Sequence, residues 1–160
     1  MSLDEGQHRA ILRRIARTAM LDRGLLPDFS PEAVAELESL QPANISASPT
    51  RNLTDLPWAS IDNDDSLDLD QLTVAKAMPG DGVRILVAVA DVDALVSQGD
   101  ALDDHARHNT ASVYTAAEKF PMLPDRLSTD LTSLNFNADR PAVVVDMTIA
   151  AYGEVQQSDI

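Results

Sequence analysis

The sequence predicts an α+β protein: an N-terminal helical module, then a mixed or antiparallel β-sheet with flanking helices. Two features point there. Apolar residues recur at helical spacing over the first 40 residues, whereas the apolar runs after Leu67 are short, β-branched and divided by Gly and Pro. Between the two regions, Pro42, Asn44, Pro49, Asn52 and Pro57 collect in one stretch. The expected organisation is a helical module over 1–41, for which a helix-turn-helix-like form is one alternative, a linker over 42–57, and a sheet-bearing region over 58–160.

In chain order, residues 8–23 carry Ile11, Leu12, Ile15, Ala16 and Ala19 as a stripe expected to face the core, with Gly24 as the stop. Arg9, Arg13 and Arg17 repeat at four-residue spacing beside Arg14. Such a row suits either a solvated helix face or contact with phosphates. Ser30, Pro31 and Glu32 form an N-cap, a first-turn proline and a first-turn acid, with Val34, Leu37 and Leu40 expected on the buried face. A strand is expected from Leu67, then a turn at Pro79-Gly80-Asp81-Gly82, then a strand through the apolar run that starts at Val83. A short helix over 100–108, a short strand over 112–115, a helix over 127–134 and a strand over 142–150 follow, with Gly153 turning the chain into one more strand.

Composition excludes several classes. The 160 residues are 44% hydrophobic, enough to bury a core. There is no cysteine, hence no disulfide scaffold, zinc knuckle or thiol nucleophile, and a cytoplasmic location is expected. No apolar run approaches the length of a membrane-spanning helix, so no membrane partner is expected. The net charge of −14 would repel a nucleic acid from a bare surface. Concentrated carboxylates have one use that reverses the sign of a site, which is to hold divalent cations.

The acid is densest at Asp62, Asp64, Asp65, Asp68 and Asp70. A calcium loop is excluded: Leu67 stands where the sharp turn wants glycine, and Thr73 where a bidentate Glu is needed. On a strand, Asp68 and Asp70 would share one face, and Asp62 would fold back from the preceding loop onto it. Three carboxylates brought together resist joint ionisation, and Mg²⁺ would relieve the conflict. A solvated acidic loop is the alternative.

The chain also resembles the ribonuclease II / ribonuclease R family, whose RNB catalytic domain opens with Ile-Asp and then Asp-x-Asp-Asp. The likeness rests on Ile61-Asp62, Asp68-Leu69-Asp70, Val89-Ala90-Asp91-Val92, Ser112-Val113-Tyr114, Pro121-Met122-Leu123-Pro124, Ser133-Leu134 and Asp139-Arg140, in order. The resemblance implies a hydrolytic 3′→5′ exoribonuclease that degrades single-stranded RNA processively to nucleoside 5′-monophosphates with Mg²⁺, or Mn²⁺, and water. Asp62, Asp68 and Asp70 would be metal ligands, Asp70 the aspartate tied to the chemical step, and Tyr114 the ring that stacks on RNA bases. The partners implied are single-stranded RNA, the remainder of an RNB domain and a C-terminal S1-type domain. The stretch alone is therefore expected to be incomplete and inactive.

Three departures stand out. Gln71 replaces the family's fourth aspartate, Ala88 stands where many members have histidine, and helices precede the domain where the family has cold-shock barrels. Gln71 motivates the alternative of an RNB-like protein that binds RNA without efficient cleavage. An unrelated acidic interaction module is the remaining alternative.

Overall fold

The computed structural model describes residues 5–44 and 50–160, and the chain forms two compact units. One comprises residues 1–40 and 96–125, the other 41–95 and 126–160. The N-terminal helices are thus packed in one unit with a later segment rather than standing as a module by themselves. Part of the expected linker, residues 45–49, lies outside the described residues.

The first unit begins with α1 (Glu5–Asp22), which ends where Gly24 adopts a φ of 73°. The apolar stripe expected to be buried is not. Ile11, Leu12 and Ile15 are exposed, and Met20 is the buried residue of the helix. The helix turns its Met20 side inward because Arg13 Nε donates to the Ala117 carbonyl at 3.3 Å and Arg17 Nη1 pairs with Glu118 at 3.0 Å. Helix α2 (Pro31–Ser39) starts as expected, with the Ser30 hydroxyl accepting from Ala33 N at 3.1 Å. Its inward residue is Ala33, fully buried, while Val34 is exposed, so the buried face is rotated from the expected one.

Helix α3 (Ala101–Asn109) has an unusual cap. The side chain of its N-cap residue Asp100 accepts instead from Ser97 N, and Glu36 of α2 reaches across to accept from Leu102 N at 3.2 Å. A carboxylate there also meets the positive end of the helix dipole. Buried Asn109 accepts from Leu26 N at 2.9 Å and donates to the Leu26 carbonyl at 2.8 Å, fixing the loop between α1 and α2. The strands β3 (Val113–Tyr114) and β4 (Lys119–Phe120) form a small hairpin whose turn is closed by Thr115 and Glu118. Phe120, Leu102, Ala117 and Val96 complete the buried apolar set.

The second unit is a four-stranded antiparallel sheet in the order β1-β2-β5-β6. Its strands are β1 (Gln71–Ala77), β2 (Val83–Ala90), β5 (Ala142–Ile149) and β6 (Val155–Asp159). The expected turn joins β1 to β2, with Gly80 and Asp81 both at positive φ and Met78 N bonded to the Gly82 carbonyl at 2.8 Å. A side chain at residue 82 would meet the Ile149 carbonyl at 3.1 Å, so the close approach of β5 favours glycine there. Val74, Leu86 and Ala88 are the buried residues of the sheet. Beside them Arg84 forks onto Asp146, which holds that carboxyl below its ordinary range.

Two expected elements differ. The strand expected from Leu67 begins only at Gln71. The expected 127–134 helix is a short π turn, Leu127–Leu131, in which Thr132 N and its hydroxyl both bond the Leu127 carbonyl. That wider turn frees Ser133 and Leu134 to bond elsewhere.

His105 is buried against Phe29, with ring centroids 4.1 Å apart, and its Nε2 lies 3.2 Å from Asn109 Nδ2. Burial pushes the imidazole below its usual value of 6.5, and nearby His108 adds to this, while the Pro121 carbonyl opposes both. The unfolded chain therefore takes up this proton first as pH falls through about 6.5, and folded stability drops from there until the lower folded-state value is passed. Urea midpoints measured from pH 7.5 to 5 should decline, and His105→Gln should flatten that slope. An equally steep slope in the variant would contradict the neutral buried ring.

Candidate nucleic-acid-processing site

The aspartate segment has two parts. Residues 63–66 form a turn, with Ser66 N bonded to the Asn63 carbonyl at 3.0 Å, and Asp64 and Asp65 stand exposed at its corner. Residues 67–70 then run extended toward β1 without belonging to the sheet. Two of their backbone groups are bonded by one side chain. The hydroxyl of Ser133, 1% exposed, accepts from Leu69 N at 3.0 Å and donates to the Leu67 carbonyl at 2.8 Å. Leu134 N adds a bond to the Leu69 carbonyl at 2.9 Å. One buried serine thus does for this segment what a neighbouring strand would have done, which is why the strand starts four residues later than expected.

The register carries the aspartates to one end of the sheet. Gln71 pairs with Val89, and Ala90 N bonds the Asp70 carbonyl at 2.9 Å. Asp70 is exposed and Asp68 half-buried, one on each side of the pinned Leu69. Asp91 follows the end of β2, its amide bonded to the Pro141 carbonyl at 3.2 Å. Arg140 is nearby in the chain and donates to the Asp130 carbonyl at 3.0 Å. The end of the sheet therefore gathers Asp70, Asp91 and the approach to β5.

Asp62 stands exposed ahead of the turn, next to Ile61, which is 94% exposed. The structure does not bring Asp62, Asp68 and Asp70 into one cage. Among the described residues no three His, Asp or Glu side chains are gathered so as to hold a metal ion. The arrangement expected from spacing, with Asp62 folded back over the other two, is not present among the described residues. The residues as placed do not fit a closed Mg²⁺ or Mn²⁺ site.

Tyr114 lies in the other unit, on β3, with 68% of its surface exposed. Its cross-strand partner Lys119 holds its ammonium 5.6 Å from the ring centroid and also pairs with Asp125 at 3.3 Å. The lysine thus sits near one face of a ring that is largely exposed. Neither Lys119 nor the pinning role of Ser133 was legible in the sequence. Ser133 stood within a quoted motif, but a serine in a run with helical character carries no sign that its hydroxyl serves a segment 64 residues earlier.

The sheet, with the aspartate segment leading into β1 and tied down by Ser133, lies within a stretch of recognisable family. The RNB domain family matches residues 50–160, and the chain belongs to that family. It is similar to Ribonuclease R of Escherichia coli (strain K12), 36% identical over 129 residues that make up 81% of this chain and 16% of the relative. Exoribonuclease 2 of Escherichia coli O157:H7 (strain EC4115 / EHEC) is 36% identical over 108 residues, 68% of this chain and 17% of the relative. The chain thus spans about a sixth of the length of these relatives. Among solved structures, Mycoplasma genitalium RNase R in complex with double-stranded RNA matches with a TM-score of 0.77 and 28% identity, over 88% of this chain and 25% of that one.

Ser133→Ala leaves the Leu69 amide and the Leu67 carbonyl without their shared partner. A loss of about 1–3 kcal/mol in unfolding free energy is expected, the cost of a deserted buried polar group. Hydrogen exchange at the Leu69 amide should accelerate by more than the global loss accounts for. Unchanged protection at Leu69 would show that the hydroxyl does not hold the segment.

Proposed function

We propose that the protein carrying this RNB stretch degrades single-stranded RNA by hydrolysis from the 3′ end, processively, releasing nucleoside 5′-monophosphates. The observation that carries the proposal is the pair Asp68 and Asp70 at the head of β1, fixed by Ser133 within a stretch matched by the RNB domain. An exposed carboxylate in a fixed position can accept a proton from a water attacking the terminal phosphodiester, as the bond to the 3′ oxygen breaks. Asp70 suits that role through its exposure and its bond to β2. Tyr114 offers a largely exposed ring for stacking on a base, a contact that tolerates any sequence. The expected Mg²⁺ or Mn²⁺ remains part of this reading, but the side chains described do not close round a cation, and no role here is assigned through one.

A second reading is supported by Gln71. It places an exposed neutral amide where the family pattern has a fourth aspartate. An RNB-like protein that binds RNA and cleaves slowly would follow.

The full protein should release mononucleotides from a 5′-labelled single-stranded oligomer in the presence of Mg²⁺. Asp70→Asn, which keeps size and removes charge, should lower turnover by at least ~10²-fold while RNA binding changes little. Near-normal turnover in that variant would remove Asp70 from the chemistry. Binding without any mononucleotide release by the parent protein would favour the second reading.

Tyr114→Ala should weaken the hold on the last nucleotides by roughly 1–3 kcal/mol. The final product on poly(A) should lengthen, because release then outruns the next cleavage. A product of unaltered length would count against stacking.

A further inference from the structure

Helix α1 concentrates positive charge in an otherwise acidic chain. It holds four arginines, Arg9, Arg13, Arg14 and Arg17, against two acids, Glu5 and Asp22. At helical spacing the arginines fall within an arc of about 140°, and both acids lie outside it. Gly6 and Ala10 stand inside the same arc. Their small side chains leave a shallow, open groove along α1 between the arginine stems.

The four arginines are not equivalent. Arg17 is neutralised by Asp28 and Glu118, and Arg13 Nε is tied to the Ala117 carbonyl. These two anchor the groove to the rest of its unit. Arg9 and Arg14 are exposed and make no hydrogen bond or ion pair among the described residues. They flank the groove with free guanidinium forks, the geometry that grips phosphate through two parallel hydrogen bonds. Along the rest of the chain, net charge opposes a polyanion, so local positive charge of this kind decides where one can settle.

We infer that the Arg9–Arg14 groove of α1 is a docking surface for the phosphate backbone of single-stranded RNA, apart from the aspartate end of the sheet. The inference rests on the reading that this protein handles RNA. It adds a sequence-independent handle that acts before and independently of cleavage.

The test measures binding of a 2′-O-methyl single-stranded oligomer to the protein by fluorescence anisotropy in EDTA, over a range of salt concentrations. The variants are Arg9→Ala/Arg14→Ala and Arg9→Lys/Arg14→Lys, at exposed positions chosen to leave the fold intact. The alanine pair should bind about tenfold or more weakly, and its salt slope should fall by about 1.4, two contacts at roughly 0.7 each. The lysine pair should keep most of the slope, because it keeps the charges. Equal affinity and slope in the alanine pair, or no binding by the parent protein, would overturn the inference. Competition by poly-glutamate as effective as that by RNA would also overturn it, in favour of an acidic protein partner. Hydrolysis of unmodified RNA is followed in parallel. Arginine-dependent binding without hydrolysis would support the groove while sinking the nuclease reading.

Discussion

The hydrogen-bonded pairing of β2 on both sides is the constraint from which the sheet unit follows. Every residue from Val83 to Ala90 has a partner on β1 or β5, and most have both. A slip by one residue would turn Leu86 and Ala88 outward and expose the buried face, so the register is strongly held. That register sets where β1 can start and which backbone groups its head presents. Asp70 is placed because Ala90 is placed, and Asp91 is placed because Pro141 is. The aspartate end is a consequence of strand alignment more than of any attraction among the aspartates, which repel one another.

Charge is distributed along the same logic. The carboxylates that stay close to cations are structural: Asp146 under Arg84, and Asp28 and Glu118 around Arg17. The segment at the head of β1 is held by backbone bonds and by the neutral hydroxyl of Ser133. Such an anchor adds no charge of its own to the segment it places. A hydroxyl suits the position because it both accepts from Leu69 N and donates to the Leu67 carbonyl, which a donor-only guanidinium could not do.

Much of this was legible in the sequence, for identifiable reasons. The β1–β2 hairpin followed from Pro79-Gly80-Asp81-Gly82 and the Val83 run, and the start of α2 from Ser30-Pro31-Glu32, because turn and cap chemistry is local. Tertiary partners were not legible. The stripe Ile11, Leu12, Ile15 has helical period, yet period alone does not say which side of a helix finds a partner, and Arg13 and Arg17 decided it. The aspartates alternate as a strand would, but a strand exists only where a neighbouring strand shares its bonds, and Leu67 and Leu69 are met by the Ser133 hydroxyl and the Leu134 amide. Convergence of Asp62 with Asp68 and Asp70 failed for the same reason: spacing counts residues and does not see the turn at 63–66.

The pairing of Tyr114 with Lys119 shows how a small hairpin can bias a nonspecific contact. An exposed tyrosine open on both faces could stack with flat groups from either direction. An ammonium near one face adds a favourable cation–π contact and biases that side of the ring toward the lysine. The two-residue strands β3 and β4 are too short to be stable alone, so this geometry depends on Phe120, which is 2% exposed and roots the hairpin in its unit. The exposed end of the hairpin can present a directional surface because its other strand is buried. The same division recurs at the head of β1, where buried Ser133 supports exposed Asp70.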